Sequence, residues 1–340
     1  MRRWIKVSMA AVLVLGLAGW IARPYFDEWW TIRTACDGVL PGDAVRDLLP
    51  EDARVKDSSS GGVEQLGDYS CDLSVETEHS GDWALLGLRA YTLRDDQDRA
   101  LMRVFPESGL ESQAAMPEGL PGFIGRFSTL TFLLPCPDLG KDADGRQRKM
   151  LVSAGINNNA PWRQPAAYEV AVAFTNSASE HVGCGAQPLK VPKGVSPADP
   201  HEEKPKTIPL AAARDTPCGW PADAGLPDAA RWKLDVQLND GAPTGRCDLT
   251  LGDDHTDDSA KGMNFVAWFG DWSTRLVTDD DLFSPALTAS ARCGGEAAHF
   301  ALDASKDIPG VDAAKQRALL DAFARTQAER RGCTDLKAAG

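Results

Sequence analysis

Eight cysteines in two matching sets of four constrain this chain more than any other feature. They are Cys36, Cys71, Cys136 and Cys184, then Cys218, Cys247, Cys293 and Cys333. None falls in a C-x-x-C pair, which argues against zinc ribbons and thioredoxin-type redox motifs. An even number in an exported chain reads as disulfides. Their surroundings repeat. Cys71 opens CDLSV and Cys247 opens CDLTL, while Cys136 ends LTFLLPC and Cys293 ends LTASARC. Cys184 ends AFTNSASEHVGC and Cys333 ends AFARTQAERRGC, with Phe174 in register with Phe323, Glu180 with Glu329 and Gly183 with Gly332. Three matches in one order indicate tandem duplicated domains, not a short-period solenoid. A duplicated unit closes its own cysteines, which leaves three pairings per copy; because the first two bracket the N-terminal part, the third ends a strand and the fourth follows the terminal helix, the preferred bridges are Cys36–Cys71, Cys136–Cys184, Cys218–Cys247 and Cys293–Cys333.

The N-terminus carries the compartment argument. Arg2, Arg3 and Lys6 form a basic flank, and the eighteen residues from Trp4 to Ile21 carry no charge but Lys6. As a helix they would span roughly 27 Å at ~1.5 Å per residue, near the hydrocarbon thickness of a bilayer. Trp4 and Trp20 stand at the two ends, where indoles favour the headgroup layer. A cleaved signal peptide needs small residues after the apolar run, whereas Ala18-Gly19-Trp20 ends in an indole. The expectation is an uncleaved, single-pass signal anchor over 7–23, with a cytoplasmic tip at 1–6 and everything beyond it outside the cell membrane. The chain carries −13 at neutral pH, which repels phosphate backbones and makes nucleic acid an unsuitable partner.

The rest divides into a first domain at 31–189, a proline-rich linker at 190–210 and a second domain at 211–340. In the first, Pro41-Gly42-Asp43 before AVRDLL starts a short helix. Asp57 to Gly62 (DSSSGG) reads as a loop. Tyr69–Thr77, Trp83–Leu93, Leu130–Leu134 and Met150–Ile156 read as strands, and Phe105 to Gly125 as mostly loop. Pro165 to Ser179 alternates as a strand but also carries a helical stripe. Its partner in the second copy, Val311 to Arg331, is plainly helical and decides for helix. The second copy adds strands at Trp232–Leu238, Arg246–Leu251, Met263–Phe269, Leu287–Arg292 and His299–Leu302, with a hairpin turn at Asn239-Asp240-Gly241. Each copy is thus an antiparallel sheet with a short leading helix and a longer terminal helix, an α+β fold. The linker, extended and semi-rigid, should transmit little packing between the copies.

CDGVLPGDAVRDLL, followed by Cys-Asp-Leu, resembles uncharacterised exported proteins and lipoproteins of high-GC actinobacteria. The second copy, CGWPADAGLPDAA, departs from that pattern, and no lipobox precedes Cys36. The resemblance covers about the first third of each domain. It implies a PsbP-like α/β sandwich and no activity.

Motifs that carry chemistry are missing. Gly140-Lys141 lacks the rest of a P-loop, HEEKP at His201 lacks the second histidine of a zinc protease, and no G-x-S-x-G or G-x-G-x-x-G occurs. Asp142-Ala143-Asp144-Gly145 resembles part of a calcium loop but fails the full template and reads as a turn. Asp253, Asp254, His255, Asp257 and Asp258 place four carboxylates and an imidazole in one short segment, a set able to hold a cation; a solvated loop is the simpler expectation. Trp268 and Trp272 are candidates for a ligand groove, against core packing as the simpler reading. No cofactor is expected and no catalytic residue is nominated. The functional expectation is a non-enzymatic, membrane-anchored module of the cell envelope that binds a protein or glycan. A hydrolase or metal-dependent enzyme without a local motif is the alternative.

Overall fold

The computed structural model describes residues 23, 25–63, 67–77, 81–104, 113–117, 119–125, 129–158, 163–192, 207–238, 242–252, 261–278 and 287–338. The first domain contains α1 (Gly42–Asp47), β1 (Ala53–Val63), β2 (Asp68–Thr77), β3 (Gly81–Tyr91), α2 (Arg94–Val104), β4 (Ala114–Ala115), β5 (Gly122–Ile124), β6 (Leu130–Pro135), β7 (Lys149–Ile156) and α3 (Pro165–His181). The second contains β8 (Ile208–Pro209), β9 (Trp232–Leu238), β10 (Thr244–Leu251), β11 (Lys261–Phe269), α4 (Thr274–Thr278), β12 (Leu287–Cys293), β13 (Glu296–Ala304), α5 (Ala313–Arg330) and β14 (Thr334–Lys337).

The sheet orders are β1-β2-β3-β7-β6-β5-β4 and β14-β12-β13-β11-β10-β9-β8. Aligning β1 with β9, β2 with β10, β3 with β11, β6 with β12 and β7 with β13 gives one five-stranded antiparallel unit in both copies. The long helix follows the last strand each time, and α2 and α4 occupy the same place between the third and fourth strands. The disulfides are Cys36–Cys71, Cys136–Cys184, Cys218–Cys247 and Cys293–Cys333. In each copy one bond ties the leading segment to the second strand, and the other ties the end of the fourth strand to the end of the long helix. Each such bond typically contributes ~2–4 kcal/mol.

Two cores follow from strand alternation. The inner face of the first sheet packs Leu73, Leu88, Phe132 and Val152 against Val45 of α1 and Phe174 of α3. The inner face of the second packs Leu249, Phe265 and Phe300 against Phe323 of α5. Phe174 stacks on Tyr69 with centroids 5.4 Å apart, and Phe323 meets Phe265 at 5.5 Å. The start of the first domain is held tightly. Cys36 and Asp37 have φ of 54° and 59°, the left-handed region that side chains disfavour. The disulfide fixes Cys36, while Asp37 accepts hydrogen bonds from Tyr69 Oη at 2.8 Å and Ser60 Oγ at 2.9 Å.

A third core joins the copies. Leu133 of β6, Leu151 of β7 and Phe123 of β5 leave the first domain's sheet on its other face. They pack with Val266 and Trp268 of β11, Ala301 of β13, and Trp272 and Leu276 beyond β11. The two sheets therefore lie back to back, giving layers of helix, sheet, sheet and helix. The expected mechanical independence of the copies is corrected by this contact. Linker residues 193–206 lie outside the described residues.

Other expectations also change. DSSSGG is strand, not loop: β1 pairs with β2 in an unbroken run from Asp57–Ser74 to Val63–Asp68. A ladder to a well-packed neighbour overrides the weak β-propensity of serine and glycine. The supposed loop before Gly125 contains β4 and β5, which extend the sheet. The hairpin turn at 239–241 lies outside the described residues. The transmembrane element is withdrawn. Among the described residues no helix is long and apolar enough to cross a membrane, and the segment at 7–22 lies outside them. The single-pass topology, the cytoplasmic N-terminus and the membrane as partner, all of which depended on that element, are withdrawn with it.

Because each phenylalanine fills the centre of its own core, Phe174→Ala and Phe323→Ala should each cost ~3–5 kcal/mol. The third core should spread that loss to the whole chain. In urea unfolding, tryptophan emission and far-ultraviolet dichroism should shift to the same lower midpoint in either variant. Loss of one copy's signal with the other's midpoint unchanged would contradict the coupling.

Candidate functional site

A cleft of about 1300 Å³ opens between the copies. From the first domain its walls are Gly119 to Pro121 before β5, Leu134 and Pro135 at the end of β6, and the extended segment after α3 containing Gly185 and Leu189. From the second come Pro217, Leu238 at the end of β9 and Arg330 at the end of α5. These walls are pinned by the covalent framework. Pro135 and Pro137 flank Cys136, Gly185 follows Cys184, and Pro217 precedes Cys218. The Asn176 side chain clasps Leu189 as a strand would, accepting from its N–H at 2.8 Å and donating to its carbonyl at 3.1 Å. Gln147 donates from Nε2 to the carbonyls of Cys136 at 2.8 Å and Gly140 at 3.0 Å. The lining is mostly leucine, proline, alanine and glycine, with Gln147, Gln187 and Arg330 as its polar side chains among the described residues.

Beside the third core runs a charged seam. Arg94 donates from Nη2 to the carbonyl of Asp271 at 2.7 Å and pairs through Nε with Asp98 at 2.9 Å. Lys149 of the first domain pairs with Glu296 of the second. Arg146 Nε lies 4.0 Å from Asp271 Oδ2, and Phe123 stacks on Trp272 with centroids 5.8 Å apart. Residues 270–273 thus form the knuckle by which the second domain seats on the first. Gly270 has φ of 123°, and a Cβ there would stand 2.7 Å from Trp272 Cδ1, so only glycine fits. Gly270 N–H donates to Ala297 O, and Ala297 N–H donates to Asp271 Oδ1, each at 2.8 Å. Ser273 Oγ stands 2.8 Å from His299 Nδ1.

Asp271, Ser273 and His299 share the residue types of a hydrolytic triad but not its geometry. Ser273 has no solvent exposure, and its hydroxyl donates to the Gly270 carbonyl at 2.7 Å. A nucleophile has to meet a substrate, so this group is structural. Burial pushes the His299 imidazole down to about 4 despite the raising effect of Asp271, which keeps the ring neutral near pH 7.

Trp268 and Trp272 are buried within the third core and so stand in the docking surface between the copies. Asp253, Asp254, His255, Asp257 and Asp258 lie outside the described residues. Among the described residues no group of three or more His, Cys, Asp or Glu side chains is placed to hold a metal. The metal-dependent alternative thus finds no support among the described residues. Asp142 completes a turn of its own, accepting at Oδ1 from the N–H groups of Asp144 and Arg146 at 3.0 and 2.9 Å. The cleft was not nominated from sequence, and of the knuckle only Trp272 was, as a groove residue. The contact between the copies has a further sequence signal, since FLLP and FVAWF are apolar at consecutive positions, the mark of strands buried on both faces.

No family model, curated protein or solved structure matches the chain. The resemblance to exported actinobacterial proteins of PsbP-like fold is therefore not upheld. The duplicated, disulfide-bonded architecture stands without it.

Trp272 is the largest side chain of the knuckle. Trp272→Ala should cost ~3–5 kcal/mol and split thermal unfolding into two calorimetric transitions, one per copy. A single transition at an unchanged temperature would contradict the role given to the knuckle.

Proposed function

We propose that the protein is an extracytoplasmic, non-catalytic binding module whose ligand occupies the cleft between its two domains. The observation that carries this reading is the cleft itself. It draws walls from both copies, and two of the four disulfides, one in each copy, have a bonded cysteine directly beside a lining residue. Walls fixed in that way lose little conformational entropy on binding. Four disulfides without a free cysteine fit an oxidising compartment. Ligand sites are commonly concave, largely apolar and located between domains. At about 1300 Å³ this one is larger than the ~300–1,000 Å³ of small-molecule pockets, which favours an extended ligand. The proline, glycine and leucine lining offers apolar rings and backbone carbonyls, with amide and guanidinium groups to fix orientation.

A fluorescent anilinonaphthalene sulfonate tests the site. The probe should bind saturably, one per chain. Leu189→Asp and Leu238→Asp, one from each domain and neither fully buried, should each weaken binding at least tenfold while the circular dichroism stays that of the parent. Unchanged affinity in both variants would contradict the assignment of the cleft.

A further inference from the structure

We propose that His299 is a proton-sensitive latch on the docking of the two domains. It holds the knuckle in place while neutral and loosens it when protonated. The hydroxyl of Ser273 links the ring to the knuckle. That hydroxyl carries one proton, and the Gly270 carbonyl oxygen accepts it at 2.7 Å. Ser273 Oγ is then the acceptor for His299 Nδ1–H at 2.8 Å, which fixes the neutral tautomer. The lone pair, and hence the site of protonation, is Nε2. Among the described residues Nε2 has no hydrogen-bond partner. Protonation therefore adds a charge to a partly buried ring at the seam.

The location gives the proton its leverage. His299 sits on the face of β13 that meets the first domain, two residues from Ala301 of the third core. Through Ser273 it braces the knuckle, whose Asp271 carbonyl receives Arg94 and whose Trp272 stacks on Phe123. The charged group that acts on the ring is Asp271 on the knuckle, while Arg94, Arg146 and Lys149 of the first domain reach the same seam at Asp271 and at Glu296 on the strand of His299. The flanking strands place uncharged residues opposite it, Trp268 on β11 and Ser290 on β12. On α4, Leu276 and Val277 are apolar, and Arg275 is a cation whose side chain lies outside the described residues. Asp271 favours the imidazolium, but its Oδ1 is held by the Ala297 N–H and its Oδ2 faces Arg146. Burial dominates, and the docked ring titrates at about 4.

The sign follows from linkage. A ring released from the seam titrates near its ordinary ~6.5. The undocked form therefore binds a proton more readily, and docking is complete above that value. It weakens as pH falls from about 6.5 towards 4, by at most about 30-fold at pH 5. Because the cleft has a wall on each domain, the same loosening would alter its shape. That consequence rests on the proposed binding site, whereas the latch itself does not.

Hydrogen exchange on the whole chain, without ligand, separates the two. The knuckle amides of Gly270 and Ala297 report opening, after correction for intrinsic exchange at each pH. Their opening constants should rise by about 10- to 30-fold between pH 7.5 and 5 and should stay within threefold in His299→Gln. A histidine that merely fills space would leave the pH slope intact in the variant, and so would overturn the latch. Flat opening constants in the parent protein would overturn it as well. Should His299→Gln fail to fold, the ring of the parent protein can be titrated directly by nuclear magnetic resonance. A midpoint below about 5 supports the latch, and one near 6.5 overturns it.

Discussion

The contact on which the rest depends is the apolar one between the outer faces of the two sheets. An antiparallel sheet ordinarily packs one face and leaves the other to water. Here Leu133, Leu151, Val266 and Trp268 interrupt the polar outer faces and bury against one another. That contact turns two ordinary copies into one body and sets the separation of the cleft's walls. It also places His299 and the charged pairs of the seam where their ionisation touches docking. Remove it, and each copy keeps its core, its helices and its disulfides, but the intervening cleft has no fixed shape.

Duplication made much of the fold legible. The cysteine contexts and the register of Phe174 with Phe323 pointed to two equivalent sheets, each covered by a long helix. The comparison of copies also decided residues 165–181, where alternation alone allowed a strand. What escaped was structure set by neighbours. DSSSGG has a loop's composition and becomes strand because β2 offers it a ladder. The third core was written in consecutive apolar residues such as those of FLLP, where Phe132 and Leu134 turn inward and Leu133 outward. A run of that kind announces burial on both faces but not which surface supplies the second cover.

The site was less legible than the fold, for a physical reason. The cleft is built from residues with little chemical signature, prolines, glycines and leucines drawn from segments far apart in sequence. The residues that attract notice by type behave otherwise. Trp268 and Trp272 serve packing, Asp142 closes its own turn, and the serine–histidine pair braces a knuckle. The covalent bonds connect these observations, since cysteines that mark the duplication also stiffen the cleft's walls.

The central claim is that both sheets share one buried interface and therefore open together. Native-state hydrogen exchange in low denaturant measures this most directly, read at the amides of Val152 on β7 and Phe265 on β11. Both amides should exchange through one shared opening, with equal free energies and equal dependence on denaturant. If β11 opened at a free energy well below that of β7, with a separate denaturant dependence, the copies would be independent domains and the account would fail.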